Sequence, residues 1–167
     1  FKNNEILVNI VTDHGHSYLG HSNKLLSPET LSIPWLLRGG DVPQSEYNEL
    51  TENVDIFKSI INLCEINKQK VLNDGILPTI LGGKDNRKYT YAESIYPDKD
   101  YQIRILDNNF SFDFNTSNKL DSNGKLVNKK NEYKLRNKKT FNIVSNDNIL
   151  KNFKNISESK IDQWCRN

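Results

Sequence analysis

Apolar residues along this chain come in runs of distinct spacing. Residues 5–12, EILVNIVT, are apolar almost without interruption. A run that is apolar on both faces predicts a strand buried on both sides of a parallel sheet. IPWLLR at 33–38 is a second short apolar run, closed by Gly39 and Gly40. Over 53–66, NVDIFKSIINLCEI, the spacing changes to that of a helix. Ile56, Phe57, Ile60, Ile61 and Cys64 fall on one face, and Asn53 stands where a cap is needed. After a turn-rich connector, NDGILPTILGG at 73–83, the pattern alternates. YTYAESIY (89–96), YQIRILD (101–107) and FSFDF (110–114) predict strands, with Asp107, Asn108 and Asn109 as a hairpin turn. The run 147–164 spaces Ile149, Leu150, Phe153, Ile156, Ile161 and Trp164 as an amphipathic helix does, with Asp147 at its cap. Between these segments, 115–139 is nearly all Asn, Lys, Ser and Asp, the composition of long loops or ragged strands.

The order of elements predicts an α/β fold. Its first part, 1–88, reads as the edge of an α/β sheet domain. Its second part, 89–167, reads as a small α+β subdomain of antiparallel sheet plus helix.

Composition narrows the function classes. A net charge of +2 is too balanced to point to nucleic acid, and the Lys/Arg cluster at 125–139 lacks regular aromatic interleaving, so it reads as a solvated face. No apolar stretch reaches the roughly 18 residues of a membrane span. Cys64 and Cys165 fit no disulfide framework or zinc spacing, and Cys64 is expected to be a small buried hydrophobe within its helix. The chain opens on Phe1 and contains no Met, so a longer parent protein is expected, with any targeting signal ahead of this segment. Periplasmic, secreted and cytoplasmic locations all stay open.

All 3 histidines fall within VTDHGHSYLGH, residues 11–21. Ligands of open α/β sheets gather at the carboxyl ends of strands, where Asp13 stands. An aspartate oxygen beside a neutral imidazole nitrogen suits a divalent cation, and Gly15 permits the chain to turn there. A capping Asp13 and a hydrogen-bonded His14 explain the same triplet equally well. His16 is expected to point out of the loop, His21 reads as a loop histidine or an anion contact, and Lys24 as a solvated charge.

Several blocks together resemble the C-terminal part of a sulfatase, within the alkaline phosphatase superfamily. They are TDHG at 12–15, LGH at 19–21, Lys24, ETLSIPWLL at 29–37, the NVDIFKSIINLCEI helix, DGILPTILGG at 74–83 and AESIYP at 92–97. Their order and intervals follow the family's over roughly residues 5–115, although Glu65 stands where the family prefers Gly and the DG turn is one position short. The resemblance implies an alkaline-phosphatase-like sheet domain continuing into the small C-terminal subdomain. It implies Asp13 and His14 as ligands of one divalent metal, calcium in most sulfatases, with manganese or zinc in relatives. It implies catalytic roles for Lys24, contacting sulfate or phosphate oxygens, and for His21 at the rim of the same pocket.

The family's nucleophile, a Cys or Ser in a C/S-x-P-x-R motif, is absent from the chain, as is the acidic pair that completes the metal shell. The expected function is therefore that of the C-terminal portion of a sulfate-ester hydrolase, inactive by itself and dependent on the missing N-terminal part. Two alternatives stay open. One is a phosphodiesterase, phosphonate hydrolase or phosphoethanolamine transferase of the same superfamily, acting on phosphate esters. The other is a non-catalytic interaction domain.

Overall fold

A computed structural model describes residues 6–15, 26–66, 75–94, 101–116 and 131–165, with side chains as far as Ile161 in the last helix. The fold is mixed α/β and divides into two compact units. One comprises Phe1–Gly20 with Pro28–Thr90, the other His21–Ser27 with Tyr91–Asn167.

In the first unit, strand β1 (Val8–Val11) pairs with strand β2 (Trp35–Arg38), and the short helix α1 (Pro28–Leu31) lies between them in sequence. The pairing is antiparallel, with Val8 opposite Arg38 and Ile10 opposite Leu36. This corrects the expectation of a strand buried on both sides of a parallel sheet. An apolar run specifies a strand but not its partner. Here the partner is one antiparallel neighbour, so Val8, Ile10 and Leu36 stand on an exposed face. The opposite face is half-buried, and there the Trp35 indole N–H donates to Asn9 Oδ1 at 2.9 Å.

Helix α2 (Asn53–Leu63) is capped by Glu52 rather than by Asn53, which is its first helical residue. Asp55 three positions on from Glu52 returns a bond to the cap's own amide at 2.8 Å, completing a capping box. The apolar stripe of α2 is only partly inward: Ile61 is buried, but so are Asp55 and Ser59, while Val54 and Phe57 are exposed. Cys64 ends the helix and is exposed, not buried, because the chain reverses there through Glu65 at φ 54°. A 3-10 turn, Thr79–Leu81, follows. A Cβ on Gly83 would lie 1.7 Å from the Leu77 carbonyl oxygen, so this close backbone approach requires glycine.

The second unit holds a four-stranded antiparallel sheet in the order β3 (Thr90–Ser94), β4 (Tyr101–Leu106), β5 (Phe110–Thr116), β6 (Asn131–Asn137). The β4–β5 turn forms as the sequence predicts. Asp107 Oδ1 accepts the amides of Asn109 at 2.7 Å and Phe110 at 2.6 Å, a side-chain-closed turn. Side chains alternate across the sheet. Ile103 and Ile105 of β4 stand opposite Phe114 and Phe112 of β5, which stand opposite Tyr133 and Leu135 of β6. Helix α3 (Asp147–Cys165) closes this face, with Phe153 5.7 Å from the Phe112 ring. Each such buried side chain contributes roughly 1.5–3 kcal/mol. The cap of α3 is Asn146, whose Oδ1 accepts the Ile149 amide at 3.2 Å, so Asp147 is instead the first helical residue. Strand β6 lies inside the polar stretch that composition marks as loop or ragged strand.

Candidate functional site

The Asp13–His14 pair sits where β1 ends. Gly15 ties the following turn to α1, its amide donating to the Thr30 carbonyl at 2.9 Å. A Cβ at Gly15 would lie 1.9 Å from the Glu29 carbonyl oxygen. Glycine is thus required by contact with α1 rather than by an unusual backbone angle.

Within the turn, Asp13 Oδ1 accepts the His14 amide at 2.9 Å. His14 Nδ1–H donates to the Gly15 carbonyl at 2.7 Å. That bond fixes the tautomer: with the proton on Nδ1, the lone pair of the neutral ring is on Nε2. His14 Nε2 stands 3.7 Å from Asp13 Oδ2, and the two side chains are largely exposed. Metal bonds run to about 2.0–2.1 Å for imidazole nitrogen and 2.3–2.6 Å for a carboxylate on calcium, so one ion holds two donors no more than about 4.7 Å apart. The observed separation lies within that reach. A ligand histidine whose other nitrogen is locked by a backbone carbonyl is also the usual arrangement around metals.

Among the described residues, no group of three or more His, Cys, Asp or Glu side chains is placed to hold a metal. The structure therefore brings Asp13 and His14 together and supplies no third donor from the described chain. His16, His21 and Lys24 lie outside the described residues, and so do parts of the DG turn and of the AESIYP block.

A second polar cluster was not singled out by sequence. Asp55, 1% exposed, accepts the Ile76 amide at 2.7 Å and is gripped by Arg87 through Nε at 3.1 Å and through Nη2. Arg87 also pairs with Glu52 at 2.9 Å. Burial works against the charge on Arg87, but the Asp55 hydrogen bond and the nearby carboxylates outweigh it, holding the guanidinium above its ordinary value. This cluster joins the start of α2 to the segment after the DG turn, so it positions backbone and has no free acid or base. The available signal was an aspartate in an apolar helix, three residues after a glutamate.

The chain has no match among family models, curated proteins or solved structures.

Proposed function

We propose that this chain is the C-terminal portion of a metal-dependent sulfatase of the alkaline phosphatase superfamily, hydrolysing sulfate esters as the intact protein. The observation that carries the reading is the Asp13–His14 turn, with the ring tautomer set by Gly15 and Nε2 3.7 Å from Asp13 Oδ2. The donor set fits a divalent cation, calcium first and manganese or zinc next. When bound, such an ion supplies Lewis-acid polarisation and orientation of the ester. Asp13 and His14 hold it from one side, and Lys24 and His21 act on the anion.

Further support comes from the two blocks that favour the sulfatase branch over its phosphate-ester relatives. The VDI helix and the DG turn meet through the Asp55–Ile76 hydrogen bond, which gives their joint occurrence a physical reason. The antiparallel sheet closed by α3 agrees with the small C-terminal subdomain that the resemblance implies. The exposed Val8, Ile10 and Leu36 fit a ribbon that the N-terminal part of the protein covers.

Two donors bind a metal weakly, so on this reading the chain alone is inactive. The test uses the intact protein. Asp13→Ala should lower aryl-sulfate hydrolysis by more than about 100-fold, beyond the effect of losing an outer-sphere partner. Unchanged activity on aryl sulfates would reject the proposal, and activity confined to phosphodiesters would move it to the phosphate-ester branch.

A further inference from the structure

The face of the four-stranded sheet away from α3 is polar, and its charges do not balance. The register sets Arg104 opposite Asp113, Asp113 opposite Lys134, and Gln102 opposite Asn115. Asp113 is shared, its Oδ1 accepting from Arg104 Nε and its Oδ2 from Arg136 Nη1. At this face lies a cavity of about 110 Å³, lined in part by Leu26 and belonging wholly to the second unit. Three cations (Arg104, Lys134, Arg136) line it against two carboxylates (Asp113, Glu132), a surplus of one positive charge.

Three buried polar side-chain atoms lack partners among the described residues, Ser94 Oγ and two on the face that lines this cavity. Arg104 is 8% exposed, yet its Nη1 makes no hydrogen bond, and neither does Asn115 Oδ1. A buried guanidinium donor left unused is costly, and folds rarely keep one without purpose. Here the unused donor and the unused acceptor belong to side chains that line the same cavity.

We propose that this cavity binds an oxyanion group (sulfate, phosphate or carboxylate), with Arg104 Nη1 as the main donor. Asn115 Oδ1 accepts from a hydroxyl on the organic group that carries the anion. A space of about 110 Å³ matches three or four waters at roughly 30 Å³ each, enough for the oxyanion but not for a sugar ring as well. The organic body then lies at the mouth, beside the exposed Lys134. Every residue that lines this site belongs to the second unit.

The test is an NMR titration of the full chain with inorganic sulfate, inorganic phosphate and glucose 6-sulfate, at ionic strength held constant with chloride. Saturable shifts at the Asn115 side-chain amide are expected. Arg104→Gln should weaken binding more than about tenfold, the value of a charge-assisted hydrogen bond. Since Arg104 also holds Asp113, exposed Lys134→Gln serves as a second variant, expected to weaken binding about two- to fivefold without disturbing the fold. Asn115→Ala should abolish any preference for glucose 6-sulfate over inorganic sulfate. Absence of saturable binding, or equal binding by wild type, Arg104→Gln and Lys134→Gln, would overturn the proposal.

Discussion

Removing the Asp55 carboxylate tests the structural account of the first unit. Asp55→Ala leaves three groups without their acceptor at once: the Glu52 amide, the Ile76 amide and one side of the Arg87 guanidinium. Losing a helix cap costs about 1 kcal/mol. A buried amide stripped of its partner costs about 1–3 kcal/mol, and a charged donor more. Arg87 retains Glu52 at 2.9 Å, which limits its share of the loss. Together these place the variant about 3–5 kcal/mol below wild type, the range for breaking a buried ion pair from one side. Domains have only about 5–15 kcal/mol in total, so the first unit would stand close to its unfolding threshold. Urea denaturation followed by hydrogen exchange at the Ile76 amide reads the loss directly, because that amide donates to the deleted carboxylate. Asn53→Ala, at the position sequence spacing marks as the cap, should cost less than about 0.5 kcal/mol. Asp55→Ala paired with Arg87→Ala should cost less than the sum of the two alone, by about 1–3 kcal/mol. If Asp55→Ala cost under 1 kcal/mol with Ile76 still protected, or if Asn53→Ala cost more, the proposed role of the cluster would be wrong.

Two further outcomes concern the second unit. Phe112 is fully buried between Tyr133 and Phe153, so Phe112→Ala should cost about 3–5 kcal/mol by thermal or urea unfolding, and a loss under 1 kcal/mol would place the core elsewhere. Burial first, then hydrogen bonds with Tyr101 and Glu93, raises the Tyr91 phenol well above its ordinary range. A raised folded value favours the neutral form, so its contribution is complete below the unfolded value of about 10 and is lost as pH rises beyond it. Stability measured between pH 9 and 11 should fall at the upper end, and Tyr91→Phe should flatten that fall; an identical slope in the variant would refute the assignment.

What the chain discloses before folding depends on whether the needed partner is near in sequence. The β4–β5 turn was readable because Asp107 closes it onto residues two and three positions ahead. Helix α3 was readable because Phe153 and its neighbours repeat at helical spacing on one apolar face. Strand β6 was hidden because Tyr133 and Leu135 are its only large apolar positions, set between Glu132, Lys134 and Arg136 on the polar side and flanked by Asn131 and Asn137. The inward face of α2 was misread for a related reason: Asp55 and Ser59 are buried there because Arg87 and the backbone satisfy them. The end caps slipped by one residue at both long helices, since Glu52 and Asn146 compete with equally plausible neighbours. β1 was correctly a strand, but no local pattern could reveal an antiparallel partner at 35–38. At the candidate site, Asp13 and His14 were legible as a pair, whereas the tautomer lock from Gly15 and the contact with α1 required coordinates. The Arg104–Asp113–Arg136 ladder was illegible until cross-strand register brought three distant residues together.

The proposed function requires Asp13 and His14 to share one divalent cation. Titrating the chain with Mn2+ and following paramagnetic broadening of its NMR signals measures this even when binding is weak. The His14 imidazole and the Gly15 amide should broaden first, and Asp13→Ala should remove this selectivity. Early broadening elsewhere, or the same broadening at His14 in Asp13→Ala, would contradict a shared cation.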